Sequence, residues 1–176
     1  YGPLAGPWTN VGANEDLNMV TFIHRSNAGV NGDNSSGSLR YDKSTDGGAT
    51  WSTNLGPLWN PSSATGTPPG PARYPQSVIF NPSGNTTPNN AYITMYAPTL
   101  DGTNGSWGGL AQGSMKLDGT GLSTAYDSST ASNGYYVVPE GYTTVGNKTF
   151  GLNYSQVTDA AGYTDSLMIL KGVWNS

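Results

Sequence analysis

One run of residues, Ser44-Thr45-Asp46-Gly47-Gly48-Ala49-Thr50-Trp51, constrains this chain more than any other. An aspartate at the head of a tight turn accepts hydrogen bonds from backbone N–H groups two and three residues on. Two glycines supply the positive φ that other residues resist. A threonine and a tryptophan then open the next strand against an apolar layer. Alternating segments flank the turn, Ser38 to Lys43 before it and Trp51 to Leu58 after it, so the local expectation is a β-hairpin.

The hairpin belongs to a longer repeat. Gly37-Ser38-Leu39-Arg40-Tyr41-Asp42 matches Gly113-Ser114-Met115-Lys116-Leu117-Asp118 at a spacing of 76, and Asn18 to Ile23 matches Asn90 to Met95 at 72 to 73. Asp165 to Leu170 reads as a third, partial copy about 73 residues further on. The second unit carries a decayed turn, Leu117-Asp118-Gly119-Thr120-Gly121-Leu122-Ser123.

Strands are predicted at Met19 to His24, Ser38 to Asp42, Trp51 to Leu55, Gln76 to Phe80, Tyr92 to Ala97, Ser114 to Leu117, Tyr135 to Val138, Thr149 to Tyr154 and Ser166 to Lys171. The first strands of the second and third units are expected at Tyr74 to Asn81 and Lys148 to Gln156. Long loops are expected between strands, including Ser26 to Gly37, Thr99 to Gly109 and Asp118 to Gly134. No segment holds a 3.6-residue apolar period beyond a turn or two, so the expected class is all-β.

Composition excludes several functions. Only 10% of residues are charged, against roughly a quarter in ordinary domains, and 7 Lys plus Arg face 11 Asp plus Glu. That balance gives nucleic acid almost no counterion release to drive binding. Without cysteine, the chain has no disulfide framework, thiolate metal site or thiol nucleophile. No apolar run reaches the roughly 18 residues of a membrane helix, so membrane insertion is not expected. The chain opens on Tyr1 with no charged-then-apolar leader, and it reads as a mature or excised piece of a longer exported protein.

The pattern S-x-D-x-G-x-T-W at Ser44 to Trp51 resembles the Asp-box (BNR) repeats of sialidase-like β-propellers, where it joins the third and fourth strands of a blade and its aspartate is structural. The resemblance implies antiparallel four-stranded blades. About two and a half are expected in an incomplete ring: 1–71 with the Asp-box (Ser44, Asp46, Gly48, Thr50, Trp51), 72–145 with the degenerate copy, and 146–176 as the start of a third. Trp51 is expected to be packed. The stretch from Ala72 to Asn90 is also similar to Asp-box propeller regions of bacterial proteins exported by type IX secretion, which implies a secreted or cell-surface location.

Ala72-Arg73-Tyr74-Pro75 resembles, in part, the aromatic-Arg-Ile-Pro motif of sialidases, whose arginine clamps a substrate carboxylate. A structural Arg73 is preferred to a clamp, and the residue is kept as a candidate ligand contact. Arg40, in a repeated position, is read as blade surface. His24 is read as a locally bonded strand-end residue. Trp107 in its Gly-rich loop is balanced between stacking on a sugar ring and plugging a gap between blades. Glu140 is the first choice among carboxylates for acid/base work, although no spacing selects a pair.

Asn31, Asp33 and Ser35, and also Asp101 to Asn104, alternate as calcium loops do but are better explained as Asx-turns. No catalytic residue, metal or cofactor is assigned. The leading expectation is a non-catalytic module that presents loops to a glycan or protein ligand, with remaining blades or another chain covering its open sheet edges. The alternatives are part of a sialidase-like glycoside hydrolase and a structural subunit of an extracellular assembly.

Overall fold

A computed structural model describes residues 9–33, 35–61, 69–100, 107–128, 141–159 and 162–174. The fold is all-β, built from three antiparallel sheets. Sheet one runs β1 (Val11–Asn14), β2 (Met19–Arg25), β3 (Leu39–Ser44) and β4 (Ser52–Trp59) in chain order. Sheet two repeats this meander with β5 (Gln76–Phe80), β6 (Tyr92–Thr99), β7 (Gly109–Lys116) and β8 (Ser123–Ser128). Sheet three holds β9 (Gly141–Val145), β10 (Lys148–Asp159) and β11 (Gly162–Val173). The only helical pieces among the described residues are one turn, α1 (Ala28–Asn31), and a 3₁₀ turn at Pro88–Asn90.

Burial alternates along β2, where Met19, Thr21 and Ile23 are buried and Phe22 is exposed, so one face of sheet one is apolar. That face packs on sheet two. Met19, Ile23, Leu39, Tyr41 and Leu58 meet Ile79, Ile93, Met95 and Met115 in one cluster. Each such side chain, fully buried, contributes about 1.5–3 kcal/mol. The opposite face of sheet two packs on sheet three through aromatic rings: Trp174 lies 4.6 Å from Phe80 and 4.5 Å from Tyr92, and Tyr96 lies 4.8 Å from Tyr142.

Glycines permit the close approaches. A Cβ on Gly113 would sit 2.7 Å from the Leu58 carbonyl oxygen, and one on Gly151 would sit 2.9 Å from the Tyr96 ring. The Tyr96 hydroxyl donates across the second interface to the carbonyls of Gly141 (2.6 Å) and Leu152 (3.0 Å). The first strands adjoin as well. Ser77 N–H donates to Thr9 at 2.7 Å, Thr9 N–H donates to the Gln76 side chain, and Tyr142 N–H reaches Thr9 Oγ1 at 3.4 Å. Among the described residues the three sheets form an open stack rather than a closed ring.

Several expectations need correction. The segment expected as a loop from Asp118 contains β8, an exposed edge strand of small polar residues held by its register with β7. β9 precedes β10, so the Lys148 strand is the second of its sheet, and β9 joins it although it lies inside the second sequence unit. Asp165 to Leu170 lies in β11, the third strand of its sheet, and therefore parallels β3 and β7 rather than β2 and β6.

The spacing of 76 is also out of structural register. Ile23 faces Tyr41 and Met95 faces Gly113, so laying β2 on β6 at a spacing of 72 places Tyr41 on Gly113 and not on Leu117. Tyr135 to Val138, Glu140 and Asp101 to Asn104 lie outside the described residues.

Candidate functional site

The turn at Ser44–Trp51 joins β3 to β4. The Asp46 carboxylate accepts hydrogen bonds from Thr50 N–H (2.8 Å), Thr50 Oγ1 (2.6 Å) and Ser44 Oγ (2.7 Å), while Gly48 N–H donates to Ser44 Oγ (2.8 Å). The Thr50 bonds hold the carboxyl down at about 2. These bonds span four residues, not the two or three expected, because Gly47 and Gly48 at φ 68° and 100° widen the turn. Trp51 is not packed. It is 44% exposed, and its indole N–H closes back on the Gly48 carbonyl at 3.0 Å.

Asp118 organises the β7–β8 turn in a smaller version, accepting from Thr120 N–H at 2.8 Å and Thr120 Oγ1 at 2.6 Å. Both aspartates are committed to backbone geometry, and neither faces a pocket with a second carboxylate.

The feature most suited to holding a ligand lies at the rim where β2 ends and β5 begins. A cleft of about 830 Å³ is lined there by Asn10, Phe22, His24, Arg25, Arg73, Tyr74, Pro75, Leu100 and Trp107. The topology explains the assembly. Antiparallel pairing puts the end of β6, which Leu100 follows, beside the start of β5, and the stacking of β1 and β2 on β5 brings Arg25 to the same rim.

Arg73 is half-buried, with Nη1 donating to the Ala72 carbonyl at 2.8 Å. Burial pushes its pKa below the usual arginine value, and the positive charge of Arg25 adds to the effect. Arg25 is anchored by Nε to the Ser36 carbonyl and by Nη2 to Ser36 Oγ, both at 2.9 Å. Neither guanidinium has a carboxylate partner among the described residues. Two neighbouring cations without a counter-charge among the described residues suit an anionic group, which each can meet by charge-assisted hydrogen bonds.

The walls are aromatic. Tyr74, held at φ 44°, meets Trp107 edge-on at 5.8 Å, and Phe22 stacks on His24 at 5.9 Å. Trp107 therefore lines the cleft. Trp59 takes the packing role instead, 5% exposed, with its N–H on the Gly70 carbonyl and its ring over Tyr126. His24 Nδ1 lies 2.9 Å from the Arg25 carbonyl, a local contact of the kind expected, and its Nε2 lies 3.1 Å from Asp42 Oδ1 on the neighbouring strand.

Behind the cleft, Arg40 grips Asp33 through Nε–Oδ2 at 2.6 Å and Nη2–Oδ1 at 2.9 Å. The Arg40 bonds lower the Asp33 pKa, with Ser26 adding a further hydrogen bond. Asp33 is therefore a structural anchor tying the loop that supports Arg25 to β3. Among the described residues no group of three or more His, Asp or Glu side chains is placed to hold a metal ion. No described helix is long and apolar enough to cross a membrane.

The sequence pointed to Arg73 and Trp107 but not to Arg25, Tyr74 or Phe22. Nothing in the spacing joins residues 25 and 73, and only the shared rim does. No family model matches the chain, and comparison with curated proteins and with solved structures finds no match.

Proposed function

We propose that this chain is part of a secreted or cell-surface β-propeller of the Asp-box kind, a non-catalytic module that holds a glycan or protein ligand in the cleft between Arg25 and Arg73. The observation that carries this reading is the pair of guanidiniums, without a counter-charge among the described residues and set among aromatic rings. Such a lining binds anionic groups by charge-assisted hydrogen bonds and sugar or peptide faces by stacking. The four-stranded meanders in chain order, with an aspartate-led turn between third and fourth strands, support the propeller part of the reading.

The convergence of two arginines favours one second reading, a sialidase-like glycoside hydrolase, since arginines gather at that family's carboxylate site. A glycan array with neutral and acidic sugars, run beside a fluorogenic glycoside panel, separates the two. The module predicts retention of acidic glycans without turnover, at least tenfold weaker in Arg73→Ala and in Arg25→Ala. Turnover of any glycoside that Arg73→Ala abolishes establishes the hydrolase instead. Retention unchanged in both variants removes the cleft from the account.

A further inference from the structure

The sheets are stacked by one repeated relation, first strand beside first strand, which leaves two outer faces unpartnered among the described residues. On sheet one, Val11 stands opposite Phe22. On sheet three, Leu152 stands opposite Ile169, and Lys148 stands between Val145 and Val173. These six apolar side chains are 36% to 63% exposed, and among the described residues only two further large hydrophobic side chains, Trp51 and Leu122, are exposed elsewhere. Apolar groups concentrated on two faces, rather than scattered singly, mark contact surfaces.

Charge is complementary at one corner of these faces. Among the described residues Lys148 and Lys171 share the outer face of sheet three, and the β1–β2 turn of sheet one carries Glu15 and Asp16, while Asp42 on the sheet-one face is paired with His24 beside Arg40. The β1–β2 and β9–β10 turns occupy equivalent places in their sheets, each joining first strand to second. Repeating the existing stacking step therefore sets an acidic turn beside Lys148 and an apolar face on an apolar face.

We propose that a second copy of this chain covers these faces, with sheet three of one protomer on sheet one of its partner. Two such contacts close two sets of three sheets into one ring of six. A contact between unlike faces either closes or runs on into a filament. The first strands already adjoin, with Thr9 bonded to both β5 and β9, and the limiting mass in solution decides between closure and a filament. The ring form rests on the propeller reading above, whereas the contact rests on the two faces alone.

The test is the mass of the chain in solution, by sedimentation velocity over a micromolar concentration series. The wild type is expected at twice the 18.3 kDa of one chain. Val11→Asp and Ile169→Asp, each checked by circular dichroism for a native strand spectrum, are expected to be monomers. Mixing them restores a dimer, because sheet three of the first and sheet one of the second are intact. A wild type that stays monomeric overturns the proposal and gives these faces to another occupant. A dimer broken by Ile169→Asp but not by Val11→Asp overturns it in favour of like-on-like contact, and mass that climbs without limit overturns closure. Phe22 belongs both to the sheet-one face and to the cleft wall, so acidic-glycan retention is read on monomeric Ile169→Asp, whose sheet one is intact and uncovered. Retention there without a wild-type dimer, or a dimer without retention there, separates the two ideas.

Discussion

Removing Arg40 tests how the loop behind the cleft is held. Its side chain is 12% exposed and that of Asp33 3%. Besides its two bonds to Asp33, its guanidinium donates to the Asn54 carbonyl at 2.7 Å. Arg40→Ala leaves the Asp33 carboxylate buried with Ser26 as its remaining side-chain partner. Breaking a buried pair from one side typically costs about 3–5 kcal/mol, far above the roughly 0–1 kcal/mol of a solvated surface pair. In a chain of this length about 3 kcal/mol lowers Tm by roughly 6–12 °C.

Arg40→Lys keeps the charge but loses the planar fork, so it falls between the wild type and Arg40→Ala. The double variant Arg40→Ala/Asp33→Ala removes both charges together and recovers part of the loss, a coupling of about 1–3 kcal/mol. Urea denaturation followed by tryptophan fluorescence measures these proteins together with Asp33→Ala, the single variant that the coupling requires. A loss below about 1 kcal/mol in Arg40→Ala would refute the reasoning, since it would place the pair in the solvated class.

Stability is expected to fall at both ends of the pH scale, for different groups. Asp33, Asp46 and Asp118 all have lowered folded-state pKa values, so their contribution is present above the ordinary 3.8 and is lost on acidification below it. Burial, with the Asp118 charge adding, pushes Tyr41 up to about 12, so its contribution is present below pH 10.0 and is lost between there and 12. Thermal melts across pH check both limbs, and Tyr41→Phe should flatten the alkaline one. Gly113→Val drives a side chain into the Leu58 carbonyl and should cost about 1–3 kcal/mol in a denaturant titration. Thr21→Val should leave stability equal or raise it by about 1 kcal/mol, because Thr21 Oγ1 is buried without a partner; a clear loss in the same titration would mean that the hydroxyl is satisfied.

Strands that are apolar on one or both faces were legible in the sequence. β2 and β6 announce themselves by β-branched and aromatic residues, and β5 is buried along its length. β1 and β9 were hidden because Val-Gly-Ala-Asn and Gly-Tyr-Thr-Thr-Val carry little apolar signal and owe their strand form to pairing with β2 and β10. The expected strand Ser114 to Leu117 misses the first half of β7, where Gly113 weakens the strand pattern, yet Gly113 is there to admit Leu58 from the facing sheet.

Trp51 was expected inside because it belongs to the Asp-box motif, but a tryptophan whose N–H is satisfied within its own turn has no need of a core. Arg73 was visible through its neighbours in sequence. Its companion Arg25 became visible only when stacking put the end of one strand beside the start of another.

The cleft and the two outer faces exist only because the sheets stack with β5 between β1 and β9, so the most direct test is amide hydrogen exchange along the two edges of sheet two. β5 is an edge strand buried at every position, whereas the described side chains of β8 are mostly exposed. The account predicts that β5 amides exchange about 100-fold or more slowly than those of β8, since a covered edge opens only with the stack. Exchange in β5 as fast as in β8 would contradict it.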